Sequence, residues 1–181
     1  MARLPYADLQ QLDDPAAHAL VERIVAERGS VLHLYQMLLH SPPLAEGWLA
    51  YLTAVRQRLA LPGALRELII MRVAHLNGAP YEAAQHAPIA LQEGLTQAQL
   101  DALAIVDPPA AGPEVLDETQ RALVALTDAM TRRIHFDAAV VQRVRELLGE
   151  RMTVEAVATC AAYNMVSRFL EALQIDIRDP R

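Results

Sequence analysis

Cysteine is nearly absent: Cys160 is the one thiol in a chain of 181 residues. An internal disulfide and a cysteine-based zinc site are therefore both excluded, and any chemistry has to come from His, carboxylates, Arg, Tyr or Ser. A basic excess is missing too. Sixteen Lys and Arg stand against 22 Asp and Glu, for a formal net charge of -6 and a pI near 5.5. Nothing in that balance favours phosphates or anionic lipid heads, so no nucleic-acid partner and no membrane partner is expected. No apolar run reaches the roughly 18 residues of a spanning helix without meeting a charge. The first 20 residues lack the basic-then-apolar layout of a secretory signal, and a cytoplasmic protein is expected. Aromatics make up only 4% of the chain, yet 53% is hydrophobic, enough to bury one sizeable core and to exclude intrinsic disorder.

Strict alternation of apolar and polar residues is also lacking, which leaves no argument for strands. Apolar residues recur instead at three and four positions, and Ala, Leu, Gln, Glu and Arg dominate, so the fold class is all-α. Breakers and caps set the predicted helices. Asp14-Pro15 opens one that runs to about Arg28 and stops at Gly29; others run from about Val31 to His40, Pro42 to Ala60, Ala64 to Asn77 and Pro80 to Gly94. Gly78 falls where a left-handed residue closes a helix. Thr96 with Gln99 and Asp117 with Gln120 have capping-box spacing and open helices to about Val106 and Arg133. Between them, Asp107 to Pro113 reads as a loop. Helices over Phe136 to Leu148 and Val154 to Leu173, then a polar tail, complete the chain.

The stretch from Leu65 to His86 carries the chemistry. In its first helix apolar residues surround the axis, which makes that helix central and Glu67 at least partly buried. Two uses are open to such a carboxylate: proton transfer, or a structural ion pair with Arg66, with Arg72 or across a subunit interface. Glu82 and His86 lie four residues apart on one helix face, where the carboxylate can orient the imidazole and favour its protonated form. That suits a general acid or a donor to an oxyanion; an exposed surface pair is the other use. Pro88 predicts a kink close by. Arg72 can hold a substrate carboxylate or form a salt bridge to a neighbouring helix. His75, near the end of the same helix as Glu67, is a candidate to line the same cavity. The spacing of Glu67, His75, Glu82 and His86 matches neither H-E-x-x-H nor the E-x-x-H of di-iron bundles, and no metal and no cofactor is expected. His18, His33, His40 and His135 read as surface or helix-end residues, and the methionines, Met165 among them, as core filler.

The run from Arg66 to Thr96, R-E-L-I-I-M-R-V-A-H-L-N-G-A-P-Y-E-A-A-Q-H onward, resembles the signature of the carboxymuconolactone decarboxylase family within the AhpD-like superfamily. Tyr163-Asn164-Met165-Val166-Ser167-Arg168-Phe169 is similar to the closing helix of its decarboxylase-like members. The resemblance implies an AhpD-like bundle of about eight or nine helices, with residues 1–43 as an added helical arm and 44–181 as the family domain. Alkylhydroperoxidase-type members carry a C-x-x-C pair whose positions fall here on Ala79 and Glu82, so thiol–disulfide exchange is chemically impossible at this site. Decarboxylase members have glutamate at the place of Glu82 and keep the equivalents of Glu67 and His86, as this sequence does.

What the resemblance implies is cofactor-free loss of CO₂ from a carboxylated unsaturated lactone, as in aromatic-acid breakdown. In that scheme Glu67, Glu82 and His86 are catalytic, and Arg72 and His75 bind substrate. A protonated His86 held by Glu82 would stabilise the oxyanion, and a protonated Glu67 would deliver the proton to carbon. Another proton-transfer activity on the same scaffold, isomerisation or hydrolysis, and a non-catalytic oligomeric scaffold are the alternatives. The partners implied are a small-molecule substrate and further copies of the chain, as a trimer or hexamer.

Overall fold

The computed structural model describes residues 1–12, 14–107 and 115–180. They form eight helices and no strand: α1 (Pro15–Arg28), α2 (His33–Leu38), α3 (Pro42–Gln57), α4 (Gly63–Leu76), α5 (Pro80–Gln92), α6 (Gln97–Ala104), α7 (Glu118–Arg132) and α8 (Ala138–Leu173). The all-α expectation holds. The expected loop at 108–113 lies outside the described residues. Among those described, no helix is long and apolar enough to cross a membrane.

The chain divides into two compact units, 1–58 with 170–181, and 59–169. In the first, α1 and α2 both pack on α3. Asp14 caps α1 by accepting from the Ala16 N–H, and Gly29 closes it at φ 80, a left-handed value that costs glycine nothing. The chain ends are tied to each other: Arg3 N–H donates to the Leu173 carbonyl and Tyr6 Oη to Asp179. His33 departs from expectation. Its ring is 1% exposed and lies 4.9 Å from that of Tyr6, because α2 is a short, almost wholly buried turn rather than a surface helix.

In the second unit α4 packs on α5, α6 and α7. Eight consecutive residues, Glu67–Ala74, are buried, so α4 is enclosed on every side, as its all-round apolar pattern requires. Full burial of each Leu, Ile or Val in that run contributes about 1.5–3 kcal/mol, which is what fixes the helix in place. Gly78 at φ 59 then turns the chain into α5, and Pro80 fits the first turn of that helix, where its missing N–H has no partner to lose. Both capping boxes form, at Thr96/Gln99 and Asp117/Gln120. The span of α8 holds the last two predicted helices, which meet at a kink at Gly149, where φ 76 and ψ 173 are not helical. Glu155 of α8 accepts the Leu61 N–H at 2.7 Å, just ahead of α4.

Candidate active site

Two charges sit inside the enclosed helix α4, Glu67 and Arg72, each 1% exposed. A buried charge without partners is prohibitively costly, so the partners of each show what it can do. Arg72 is taken up by structural contacts. Its Nε and Nη2 donate to the two carboxylate oxygens of Asp128 on α7, at 2.6 and 2.7 Å. Its Nη1 donates to the carbonyls of Leu103 and Ile105, at 2.8 and 2.7 Å, which satisfies carbonyls that the end of α6 leaves open. Of the two uses the sequence leaves to Arg72, the salt bridge to a neighbouring helix is the one the structure holds.

Glu67 has different company. Its Oε2 accepts from His86 Nδ1 at 2.7 Å, and its Oε1 from Arg66 Nε at 3.1 Å. His86 lies on α5, 19 residues away, and the turn at Gly78 is what lays it against α4. One turn earlier on the same helix, Glu82 brings Oε2 to 3.7 Å from His86 Nε2, at ion-pair rather than hydrogen-bond distance. Glu82 and His86 are 4% and 3% exposed, so the surface-pair use is excluded. Tyr163 of α8 meets the imidazole edge-on, ring centroids 5.0 Å apart at 89°, and clamps its plane.

Burial alone pushes the Glu67 carboxyl upward; the hydrogen bond and charge of His86, with those of Arg66, more than reverse it and hold Glu67 below the usual carboxylate range. Glu67 is therefore ionised. An ionised carboxylate only accepts, so Nδ1 carries the proton and Nε2 is the ring nitrogen turned to Glu82. The shorter contact to the ring is that of Glu67, at 2.7 Å from Nδ1, while Glu82 faces Nε2 at 3.7 Å. The reason is the fold, since the i,i+4 spacing on α5 leaves Glu82 a longer reach than the cross-helix contact gives Glu67.

His75 is not gathered with these three. Eight residues of helix separate it from Glu67, about 12 Å of rise. Burial and then the charge of Arg72 hold its imidazole below the ordinary value. Among the described residues no three His, Cys, Asp or Glu side chains converge so as to hold a metal ion.

Residues 42–122 match the model of the carboxymuconolactone decarboxylase family. The match covers somewhat less than half of the chain. The matched stretch carries Glu67, Arg72, His75, Glu82 and His86, while Tyr163 lies beyond it. No curated protein matches the chain. Solved structures do, at the level of fold. An uncharacterized peroxidase-related protein from Silicibacter sp. TM1040 is 18% identical with a TM-score of 0.75, over 96% of this chain and 92% of that one. A variant of the debrominase Bmp8 in complex with 2,3,4-tribromopyrrole is 18% identical with a TM-score of 0.78, over 98% and 94%. The AhpD core of an uncharacterized peroxidase-related protein from Ralstonia eutropha JMP134 is 19% identical with a TM-score of 0.75, over 99% and 98%. The fold is thus AhpD-like, and it hosts enzymes.

The matched stretch contains no cysteine, and the chain's lone thiol, Cys160, lies outside it. Cys160 is fully buried, and burial, only partly offset by Thr131 and Asn164, pushes it up to about 11. A thiol reagent at pH 8 is expected to leave Cys160 unlabelled in the folded protein and to label it fully in denaturant. Rapid labelling of the native protein would contradict this environment.

Proposed function

We propose that this protein is a decarboxylase of the carboxymuconolactone decarboxylase type, acting on a small carboxylated lactone by acid–base chemistry that requires no cofactor. The observation that carries the reading is the buried row Glu67–His86–Glu82, in which an ionised carboxylate holds one ring nitrogen and a second carboxyl group faces the other. Thiol chemistry has no second cysteine to use.

In the reaction the bond between ring carbon and substrate carboxylate breaks, CO₂ leaves, and the electron pair passes into the conjugated lactone, ending on its carbonyl oxygen. A protonated His86, its charge balanced by Glu67, donates from Nε2 to that developing oxyanion in a water-poor site where such a bond is strong. The electron pair then returns to carbon and takes one proton from the His86–Glu82 pair, which recovers it from solvent. Charge balances, since one carboxylate and one proton become CO₂ and a C–H bond. Lactone hydrolysis needs an attacking water and isomerisation releases no gas, so products separate the alternatives.

The test is CO₂ release and ultraviolet absorbance with 4-carboxymuconolactone and related carboxylated lactones, in the presence of a chelator. Release by the wild type and its loss in His86→Ala are expected. No release from any member of the panel overturns the decarboxylase reading.

A further inference from the structure

The hydrogen-bonded row does not stop at Glu67. Arg66 spans two carboxylates: its Nε donates to Glu67 Oε1 at 3.1 Å and its Nη2 to Glu93 Oε1 at 2.9 Å. Glu93 sits just past the end of α5 with its side chain 40% exposed, whereas that of Arg66 is 12% exposed. The Glu93 carboxyl also lies over Gly63, the first residue of α4. A Cβ built on Gly63 would stand 1.7 Å from Glu93 Oε2, so any other residue there displaces the carboxylate. A half-exposed ion pair of this kind contributes little to stability. Its effect is geometric.

We propose that Arg66, steadied by Glu93 in the space left at Gly63, is a positioning residue that fixes the Glu67 carboxylate against His86 Nδ1. With Arg66 on one oxygen and His86 on the other, the Glu67 carboxyl group cannot rotate, and its proton-free form is the one both donors favour. Freed from Arg66, Glu67 takes up a proton more readily and no longer holds the ring in one tautomer. The inference rests on the acid–base reading of Glu67, His86 and Glu82, and it adds a route by which a surface carboxylate controls the buried imidazole.

The charged and titratable groups around Glu67 can be named. Arg66 lies on its own helix, His86 and Glu82 on α5, and Glu93 just beyond; Asp128 of α7 is taken up by Arg72, Asp101 of α6 by Gln97, and α8 brings Tyr163. Among the described residues, only Arg66 supplies a permanent positive charge on Glu67.

The experiment is a titration of the His86 ring nitrogens by ¹⁵N NMR, with thermal melts, in the wild type and in Arg66→Gln, Arg66→Lys, Glu93→Gln and Gly63→Ala. In Arg66→Gln the acid-side transition, which reports proton uptake by Glu67, is expected to move up by about one pH unit or more, as removal of an adjacent opposite charge dictates. Glu93→Gln and Gly63→Ala move it the same way by less. Arg66→Lys, which retains the charge, brings it back toward wild type. An unmoved transition in a folded Arg66→Gln overturns the proposal; if that variant does not fold, unmoved transitions in both Glu93→Gln and Gly63→Ala overturn it. No substrate is needed, so a failed decarboxylase assay leaves this result readable. Turnover that depends on His86 beside an unmoved titration sinks the role of Arg66 alone.

Discussion

Glu67→Gln is expected to lower kcat by about 10²- to 10⁴-fold, the range over which positioned acid–base groups act. The amide keeps the size of the side chain and still offers an oxygen to His86 Nδ1, so the fold and the contact survive while the charge does not. What is lost is the stabilisation of protonated His86 in the transition state, with substrate binding little changed. KM should therefore stay within a few-fold while kcat falls. The same substitution carries a pH signature. Because Glu67 lies below its ordinary value of 4.5 in the folded protein, it contributes stability above that value and loses it as pH falls through the folded value. Melting temperatures recorded from neutral to acid pH should fall less steeply in Glu67→Gln than in the wild type. Unchanged kcat in the folded variant would reduce Glu67 to a structural partner of Arg66.

Asp128→Ala is expected to be the most destabilising single change. It strips Arg72, 1% exposed, of both carboxylate bonds and leaves a buried charge uncompensated, a loss of about 3–5 kcal/mol. For a chain of this size that is a fall of roughly 6–20 °C in melting temperature. Adding Arg72→Leu should recover part of it, since two apolar residues replace the pair, though the carbonyls of Leu103 and Ile105 lose their donor. Calorimetry of the single and double variants checks both. If Arg72 instead held the substrate, Arg72→Leu with Asp128→Ala would raise KM steeply; a scaffold role leaves KM nearly unchanged.

Much of the site was legible in the sequence, one part was not, and the difference is physical. The all-round apolar pattern of α4 announces an enclosed helix, and an acidic residue within it needs a partner. Which partner is a tertiary matter. Along the chain Glu82 is the natural neighbour of His86, yet the turn at Gly78 sets α5 so that Glu67 takes the short bond and Glu82 the long one. Arg72 posed the same question, and its answer lies on α7, which local spacing does not reveal. Tyr163 was visible only as part of a familiar closing helix, without a contact to His86.

Elsewhere local pattern misled. His33 sits in a segment too short for periodicity to show which side is buried. Met165, read as filler, is 38% exposed because it falls on the outer face of α8. The two last predicted helices are separate, as expected: they meet at the non-helical Gly149, and Thr153 Oγ1 donates to the Gly149 carbonyl at 2.7 Å in the first turn beyond it.

The enclosure of α4 also decides how this part of the chain opens. Backbone amides between Glu67 and Ala74 have neighbours on every side, so their exchange with deuterium requires cooperative opening of the unit formed by residues 59–169. The element that carries the acid–base carboxylate is thus the last to fray. On the proposed function, inactivation on heating is expected to coincide with opening of that unit, so that residual turnover counts the molecules in which it is intact.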